Sequence, residues 1–324
     1  MFGFVVRRLL TSVLVLFLAS ILVYVSVAAL GDPLAELRSN PRTPRSVIEA
    51  KRRELNLDKP IPVRYGIWLK DFVGGDMGRD LKGREIQPRL VRALGLTLRL
   101  AILSTILAVF LAMVVGVYSA VRQYSISDYA FTFTGFLFLS MPVFWLAALL
   151  KEFGALRINR LFGERIVYTV GDSSPNLTGS FWHRMGDYAG HLALPTLALA
   201  LVSFAAWSRY QRATMLDVLN SDYVRLARAK GIKNSRVLIR HALRNALIPL
   251  TTVVAIDIGA VFAGAVITES VFGWSAMGRL FINGVKDNDT NTLLAFMMVT
   301  GVFVILFNLL ADVLYGVLDP RIRV

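Results

Sequence analysis

The chain has 324 residues, of which 55% are hydrophobic and only 18% charged, against about a quarter charged in an ordinary water-soluble domain. Thirty-six Lys and Arg against 22 Asp and Glu leave a net charge of +14 beside a mean hydropathy of +0.57, which excludes a disordered chain and does not describe a basic, soluble nucleic-acid binder. Cysteine is absent and His183, His191 and His241 are scattered, so disulfides, thiolate metal sites, iron–sulfur clusters and cysteine nucleophiles are excluded, leaving an all-α polytopic membrane protein with no cofactor expected.

A hydrocarbon core about 30 Å thick needs roughly 20 apolar residues in a helix, and six stretches qualify. The first is Leu9 to Leu30, free of charge, preceded by Arg7 and Arg8 and ended by Gly31-Asp32-Pro33. It is too long for a signal-peptide core and reads as a span. The second runs from Leu96 to Val121 and the third from Tyr129 to Leu150, interrupted by Pro142. The fourth, His191 to Ser208, has Pro195 in its first turn. The fifth, Ala246 to Thr268, holds Pro249 and Asp257, and the sixth, Leu293 to Leu318, holds Asp312. All must be helices, because unpaired backbone groups are not tolerated in lipid.

An even number of spans puts both termini on one side. With the N-terminus cytoplasmic, the inside segments carry 14 Lys and Arg and the two shorter outside loops, 151–190 and 271–292, carry 7, which favours cytoplasmic termini. The loop of residues 31–95 is long enough to cross regardless of charge. Its prolines break it into pieces, and Ser46 with Glu49 forms a capping-box pattern for a short helix from Ser46 to Leu55. A small extracytoplasmic cap of short helices is expected there, not a catalytic domain. The organisation is thus 1–30, cytoplasmic N-terminus and first span; 31–95, extracytoplasmic loop; and 96–324, a core of five spans.

The inside loop at 209–245 carries the most information. Val224, Leu226 and Ala227 alternate with Arg225, Arg228 and Lys230 on a short helix that Gly231 can end in a left-handed turn. A second helix resumes near Ser235, with Val237, Leu238, His241, Ala242 and Asn245 spaced for one face. A positive-inside loop accounts for the charges. It does not account for an apolar helix face outside the membrane, which needs something to bury it.

These residues carry a resemblance. Ala227-Arg228-Ala229-Lys230-Gly231 followed by Arg240-His241-Ala242-Leu243-Arg244-Asn245-Ala246 resembles the EAA loop of ABC-importer permeases, and more closely the dipeptide/oligopeptide permease family of the first-permease type. Leu55-Asn56-Leu57-Asp58-Lys59-Pro60, Gly75-Asp76-Met77-Gly78, Thr97-Leu98-Arg99-Leu100-Ala101, Thr268-Glu269-Ser270-Val271-Phe272-Gly273-Trp274 and Asp319-Pro320-Arg321 fit it in register, so the likeness covers essentially the whole chain. Departures are Arg225 at the generic glutamate position, Arg244 at a generic proline, and Ser275-Ala276 where Pro-Gly is usual.

The resemblance implies a type I ABC importer permease with six transmembrane helices in a bacterial inner membrane. It implies a second homologous permease, two ABC ATPase subunits and an extracytoplasmic peptide-binding protein as partners, with peptide as substrate. Relatives that carry nickel chelates or glutathione are the alternative, and an ATPase-independent secondary transporter is the rival class. No Gly-x-x-x-x-Gly-Lys-[Ser/Thr] occurs, so ATP hydrolysis is expected on partner subunits and this chain is expected not to be an enzyme. The implied coupling contact is Arg225, Leu226, Ala227, Arg228, Ala229, Lys230 and Gly231, with Ala227 and Gly231 as close-approach positions. Asp257, Thr268 and Glu269 are the translocation-path candidates; for Asp257, hydrogen bonding between helices is an equal reading. Ala260 and Gly264 form a small-xxx-small pair suited to helix contact.

Overall fold

A computed structural model describes residues 2–318 other than Gly31 and Asn40; the side chains of residues 2–5, 8, 30, 36 and 310–318 fall outside that description. The Asp312 side chain and Asp319-Pro320-Arg321 therefore lie outside the described residues. The fold is all-α, and among the described residues the only extended pairing is a single bridge between Arg79 and Glu85. Among the described residues five helices are long and apolar enough to cross a bilayer, and six when one bent pair counts as a span.

That bent pair is the third expected span, and it is not straight. Helix α6 (Ile126–Ser140) and helix α7 (Val143–Leu149) meet at Pro142, and the apolar run to Phe162 turns by 107° there. Proline forces the residue before it out of the helical region, and Met141 is extended, with ψ 127°. The chain continues through a π-helical turn, Leu150–Gly154, and α8 (Ala155–Phe162), which Gly163 ends in the left-handed region at φ 69°.

Other spans outrun their hydropathy. α5 (Ile86–Val121) and α9 (Phe181–Leu219) have 36 and 39 residues, which at 1.5 Å per residue makes them about 54 and 58 Å long, well beyond a 30 Å apolar slab. Their ends are polar helix, which a search for apolar runs does not see. Pro195 is accommodated in the interior of α9, not in a first turn.

The described residues divide into two compact units, one of residues 96–274 and 307–318, the other within residues 2–95 and 275–306. In the first, α9 packs against α6, α7, α10 (Asp222–Ala229) and α12 (Arg244–Val271). Leu194, Ala198, Leu199, Ala205 and Trp207 form its buried stripe. Glycine sets two of the contacts: a Cβ on Gly116 would stand 2.8 Å from Gln211 Cβ, and one on Gly264 would stand 2.9 Å from Leu199 Cδ1. Ala260, one turn before Gly264, is exposed.

In the second unit α1 (Phe2–Leu30) presents Leu10 and Leu22 at 66% and 67% exposure. Such a surface is excluded from water and suits lipid. The 31–95 loop supplies α2 (Ala35–Ser39), α3 (Arg45–Glu54) and α4 (Ile61–Val73). The Ser46 capping box does not form: Pro44, preset at φ −60°, occupies the cap position and moves the helix start one residue upstream. Tyr24, Trp68 and Leu294 form the buried centre of this unit, flanked by Tyr65 and Phe72, with the Trp68 and Phe72 rings stacked at 5.4 Å. Helices α13 (Met277–Lys286) and α14 (Thr290–Leu318) close the chain.

Candidate functional site

Helix α10 begins after Ser221 and is too short to be stable on propensity alone, so packing must hold it. Val224 and Ala227, one turn apart, are 0% and 5% exposed in a cluster with Ala120, Met215, Val237, Ala242 and Ala246. Lys230 caps the helix, and Gly231 follows at φ 71° with nothing within 4 Å of where a Cβ would stand. The expected glycine turn is thus present, and its demand is conformational: an L side chain there pays for left-handed backbone, not for space.

The seven expected coupling residues separate into two sets. Arg225, Leu226, Arg228, Ala229, Lys230 and Gly231 are exposed, with Leu226 at 56%. Ala227 is turned inward and touches this chain's own core, so its smallness serves internal packing. Val224, left out of the expected contact, is its partner in that role. An apolar residue three positions before Ala227 on an otherwise basic helix was the available sign. Arg225 and Asp222 stand 3.7 Å apart, both exposed, and such a pair contributes little.

After Gly231 the chain re-enters helix at α11 (Asn234–Arg236), passes through a π-helical turn, Val237–Leu243, and runs into α12 without a break. The widened turn lets Val237 and Ala242, five residues apart, both be fully buried. Of the residues expected on that face, Leu238 and His241 are half-buried and Asn245 is exposed.

An ion pair not singled out among the sequence features lies on the helices behind this turn. Arg212 of α9 donates to Asp128 of α6 through Nε at 2.8 Å and through its terminal nitrogen at 2.7 Å, and the Tyr124 backbone N–H donates to the same carboxylate at 3.0 Å. The Asp128 side chain is 3% exposed. A two-pronged Arg–carboxylate contact fixes geometry as well as charge, so it locks α6 to α9 within four residues of Met215. Opposite charges at the facing ends of two spans were the signal available for it.

The path candidates have local partners. Asp257 of α12, half-buried, accepts from Trp207 Nε1 of α9 at 2.8 Å. Thr268 is fully buried and donates its hydroxyl to the Gly264 carbonyl at 2.8 Å. Glu269 is also fully buried, and its carbonyl accepts the Trp274 N–H at 2.9 Å, closing the turn that leaves α12.

In the second unit, Asp80 accepts the Arg84 backbone N–H at 2.8 Å, Arg84 Nε at 2.7 Å and an Arg89 terminal nitrogen at 2.6 Å. Burial opposes its ionisation, but the Arg84 hydrogen bonds and the charges of Arg84 and Arg89 outweigh that and hold the carboxyl below its ordinary value. Asp289 accepts from the Thr292 hydroxyl, the Thr292 N–H and the Leu81 N–H. Burial dominates there, and with the Asp80 charge it pushes the Asp289 carboxyl up against the pull of those hydrogen bonds. Lys82 also bonds Asp287 at 2.8 Å. Residues 80–84 are thereby stitched to 287–292.

Residues 92–324 match the model of the binding-protein-dependent transport system inner membrane component, and residues 1–88 match that of the N-terminal part of a binding-protein-dependent transport system membrane component. The oligopeptide transport system permease protein OppB of Mycobacterium tuberculosis is 42% identical over 99% of both chains. The oligopeptide transport system permease protein AppB of Bacillus subtilis is 37% identical over the whole of both. A solved structure of the MetNI methionine ABC transporter in inward-facing conformations shares the fold, with a TM-score of 0.55 at 16% identity over 71% of this chain and 96% of that one.

Proposed function

The chain belongs to the family of binding-protein-dependent transport system inner membrane components, and from that premise we propose that it is the permease subunit of an ATP-driven importer of dipeptides and oligopeptides. The full-length similarity to oligopeptide permeases supports the substrate class. One observation carries the coupling role: α10 is anchored from beneath by Val224 and Ala227 while Arg225, Leu226, Arg228, Ala229 and Lys230 face outward. An unpartnered apolar side chain ringed by cations suits a protein surface with acidic groups around an apolar pocket.

The partners are two ATPase subunits, a second homologous permease and an extracytoplasmic binding protein that delivers the peptide. Both termini face the cytoplasm, in line with the distribution of Lys and Arg. ATP closes the ATPase pair, the docked α10 turns move with it, and the helix arrangement open to the outside is favoured; hydrolysis reverses the bias. Such a push acts only through the difference in ATPase contact between the two arrangements. Anchoring matters because a turn packed into α9 and α12 transmits displacement where a loose loop would absorb it. Ala227 is a positioning residue in this scheme, as are Thr268 and Glu269, which hold the end of α12. Asp257 keeps its place as the path candidate, oriented by Trp207.

The chain has no native cysteine, so single-cysteine variants report cleanly. A cysteine at Leu226 is expected to cross-link to an ATPase subunit in a nucleotide-dependent way, and one at Ile126 to be labelled from the cytoplasmic side. Leu226→Asp is expected to abolish ATP-driven dipeptide uptake in proteoliposomes with the protein still inserted. Normal uptake by that variant, or uptake by this chain with no ATPase present, overturns the reading.

A further inference from the structure

The limb that follows Pro142 leaves α8 uncovered on one side. α6 runs alongside α9: Asp128 meets Arg212, and a Cβ on Gly135 would stand 3.8 Å from the Ala205 carbonyl. The 107° turn at Pro142 therefore sends residues 143–162 across the axis of α9. Because α9 crosses the bilayer, this limb lies nearly in the membrane plane. Its depth is fixed as well. A Cβ on Gly154 would stand 3.7 Å from Leu194 Cδ2, the Tyr168 N–H donates to the Gly190 carbonyl at 3.2 Å, and the Tyr168 ring stacks on His191 at 4.1 Å. Asn159 of α8 accepts the Ile166 and Val167 N–H groups at 3.0 and 2.9 Å, which ties α8 to that segment. α8 thus sits at the end of α9 remote from α10, where the apolar run that begins at His191 meets polar helix.

The free side of α8 mixes two kinds of residue. Ala155 is buried and Ile158 and Asn159 are half-buried, while Leu156, Arg157, Arg160 and Leu161 are exposed, the leucines at 64% and 82%. Leu156 lies one turn from Arg160, and Arg157 one turn from Leu161, so each cation has an apolar neighbour. From residue 151 to 165, Lys151, Arg157, Arg160 and Arg165 outnumber Glu152 and Glu164. Among the described residues none of the three arginines is paired with a carboxylate. An open cavity of about 380 Å³ adjoins this face, with Leu156, Lys151, Glu152, Arg165 and Thr169 on its wall. Lys151 donates there to the Val271 carbonyl at 3.0 Å, and Arg165 lies over the Tyr168 ring at 5.5 Å. Unpaired guanidinium groups among exposed leucines, at the depth where acyl chain gives way to headgroup, call for anionic oxygens on one side and hydrocarbon on the other. An arginine is long enough to reach the first while leucine stays in the second.

We infer that α8 is an interfacial helix that recruits an anionic phospholipid, its phosphate drawn to Arg157, Arg160 and Arg165 and its acyl chains lying on Leu156 and Leu161. The adjoining cavity receives the headgroup. A lipid held there braces the limb that α7 packs onto α9 and α12. The inference does not depend on what the importer carries.

The test is fluorescence quenching in lipid nanodiscs. The full-length chain carries a bimane probe on Leu161→Cys, and part of the lipid is phosphatidylglycerol or phosphatidylcholine brominated near the headgroup end of its chains. Stronger quenching by the brominated phosphatidylglycerol at equal mole fraction is expected. Arg157→Gln and Arg160→Gln should each reduce that preference by about fivefold, the scale of one cation at an anionic surface, and the lysine variants should retain most of it. Raising the salt should weaken it. Inorganic phosphate at constant ionic strength should not; displacement by phosphate makes the site one for a free anion and overturns the lipid. A probe on Leu22→Cys of α1 should respond to the two lipids alike. Equal quenching by both lipids at Leu161→Cys leaves ordinary hydrocarbon contact and overturns the proposal. So does a preference that survives replacement of all three arginines by glutamine. Absence of quenching by either lipid, or its loss on assembly with partner subunits, means that water or a protein covers α8 and also overturns it.

Discussion

The α10 turn and the 80–84 segment are both short connections fixed to a larger body, and they are fixed by opposite means. The α10 turn is held by methyl groups: Val224 and Ala227 against Met215, Val237 and Ala242, with its charges left pointing outward. The 80–84 segment is held by carboxylates: Asp80 gathers Arg84 and Arg89, and Asp289 gathers Leu81 and Thr292. Apolar anchoring is indifferent to pH and salt, and it frees the polar face for a partner. Carboxylate stitching fixes direction better, but it makes the segment depend on ionisation.

The contrast can be broken most severely at Ala227. Ala227→Asp puts an unpaired charge where 5% of the residue is exposed, which costs more than the roughly 1–3 kcal/mol of a neutral unsatisfied group. Loss of hydrogen-exchange protection across 222–231 and complete loss of ATP-driven uptake are expected together; retained uptake would show that the anchor is dispensable. Asp80→Asn is next. It leaves Arg84 and Arg89, both partly exposed, without their anion and is expected to loosen 79–85 by about 1–3 kcal/mol, read as local exchange, with the α10 turn unchanged. Gly231→Ala comes third, at about 1–2 kcal/mol, because its cost is left-handed backbone alone; Gly231→Asn should recover part of it.

A pH series gives the smallest and most discriminating effect. Asp80 has a lowered folded-state pKa, so its contribution is present above the ordinary carboxylate value and is lost as pH falls through the folded value. Asp289 has a raised one, so its contribution is present below the ordinary value and is lost as pH rises through the folded value. Exchange protection factors at 80–84 and 287–292 should therefore rise modestly as pH falls from neutral toward the ordinary carboxylate range, then drop below it. Asp289→Asn should remove the rise and keep the drop. Protection at Val224 and Ala227 should stay flat throughout; a matching pH profile there would erase the distinction between the two regions.

The spans were legible in the sequence because lipid imposes a crude and strong requirement on composition. Where each helix ends was not. Phe181–Gly190 and Arg209–Leu219 belong to the same helix as the apolar stretch between them, and only contacts with neighbours decide that. Pro142 announced an interruption, but a 107° turn depends on what α7 packs against. At 222–231, residue types and the glycine stop marked the helix and its turn. Ala227, expected as a close-approach position, lies on the face of this eight-residue helix that is covered by the chain's own core. The Asp128–Arg212 pair was visible in the sequence only as opposite charges at the ends of two spans; its members are 84 residues apart, and which span ends meet is decided by packing.

The π-helical turn at Val237–Leu243 makes the stretch between Gly231 and α12 a counted length. A regular helix rotates about 100° per residue, so deleting one residue between 238 and 243 is expected to restore ordinary winding and swing Val237 out from under α10. Chimaeras that graft this turn into a relative must carry the surplus residue with it, or the transplanted segment will be complete in sequence and misaligned in rotation.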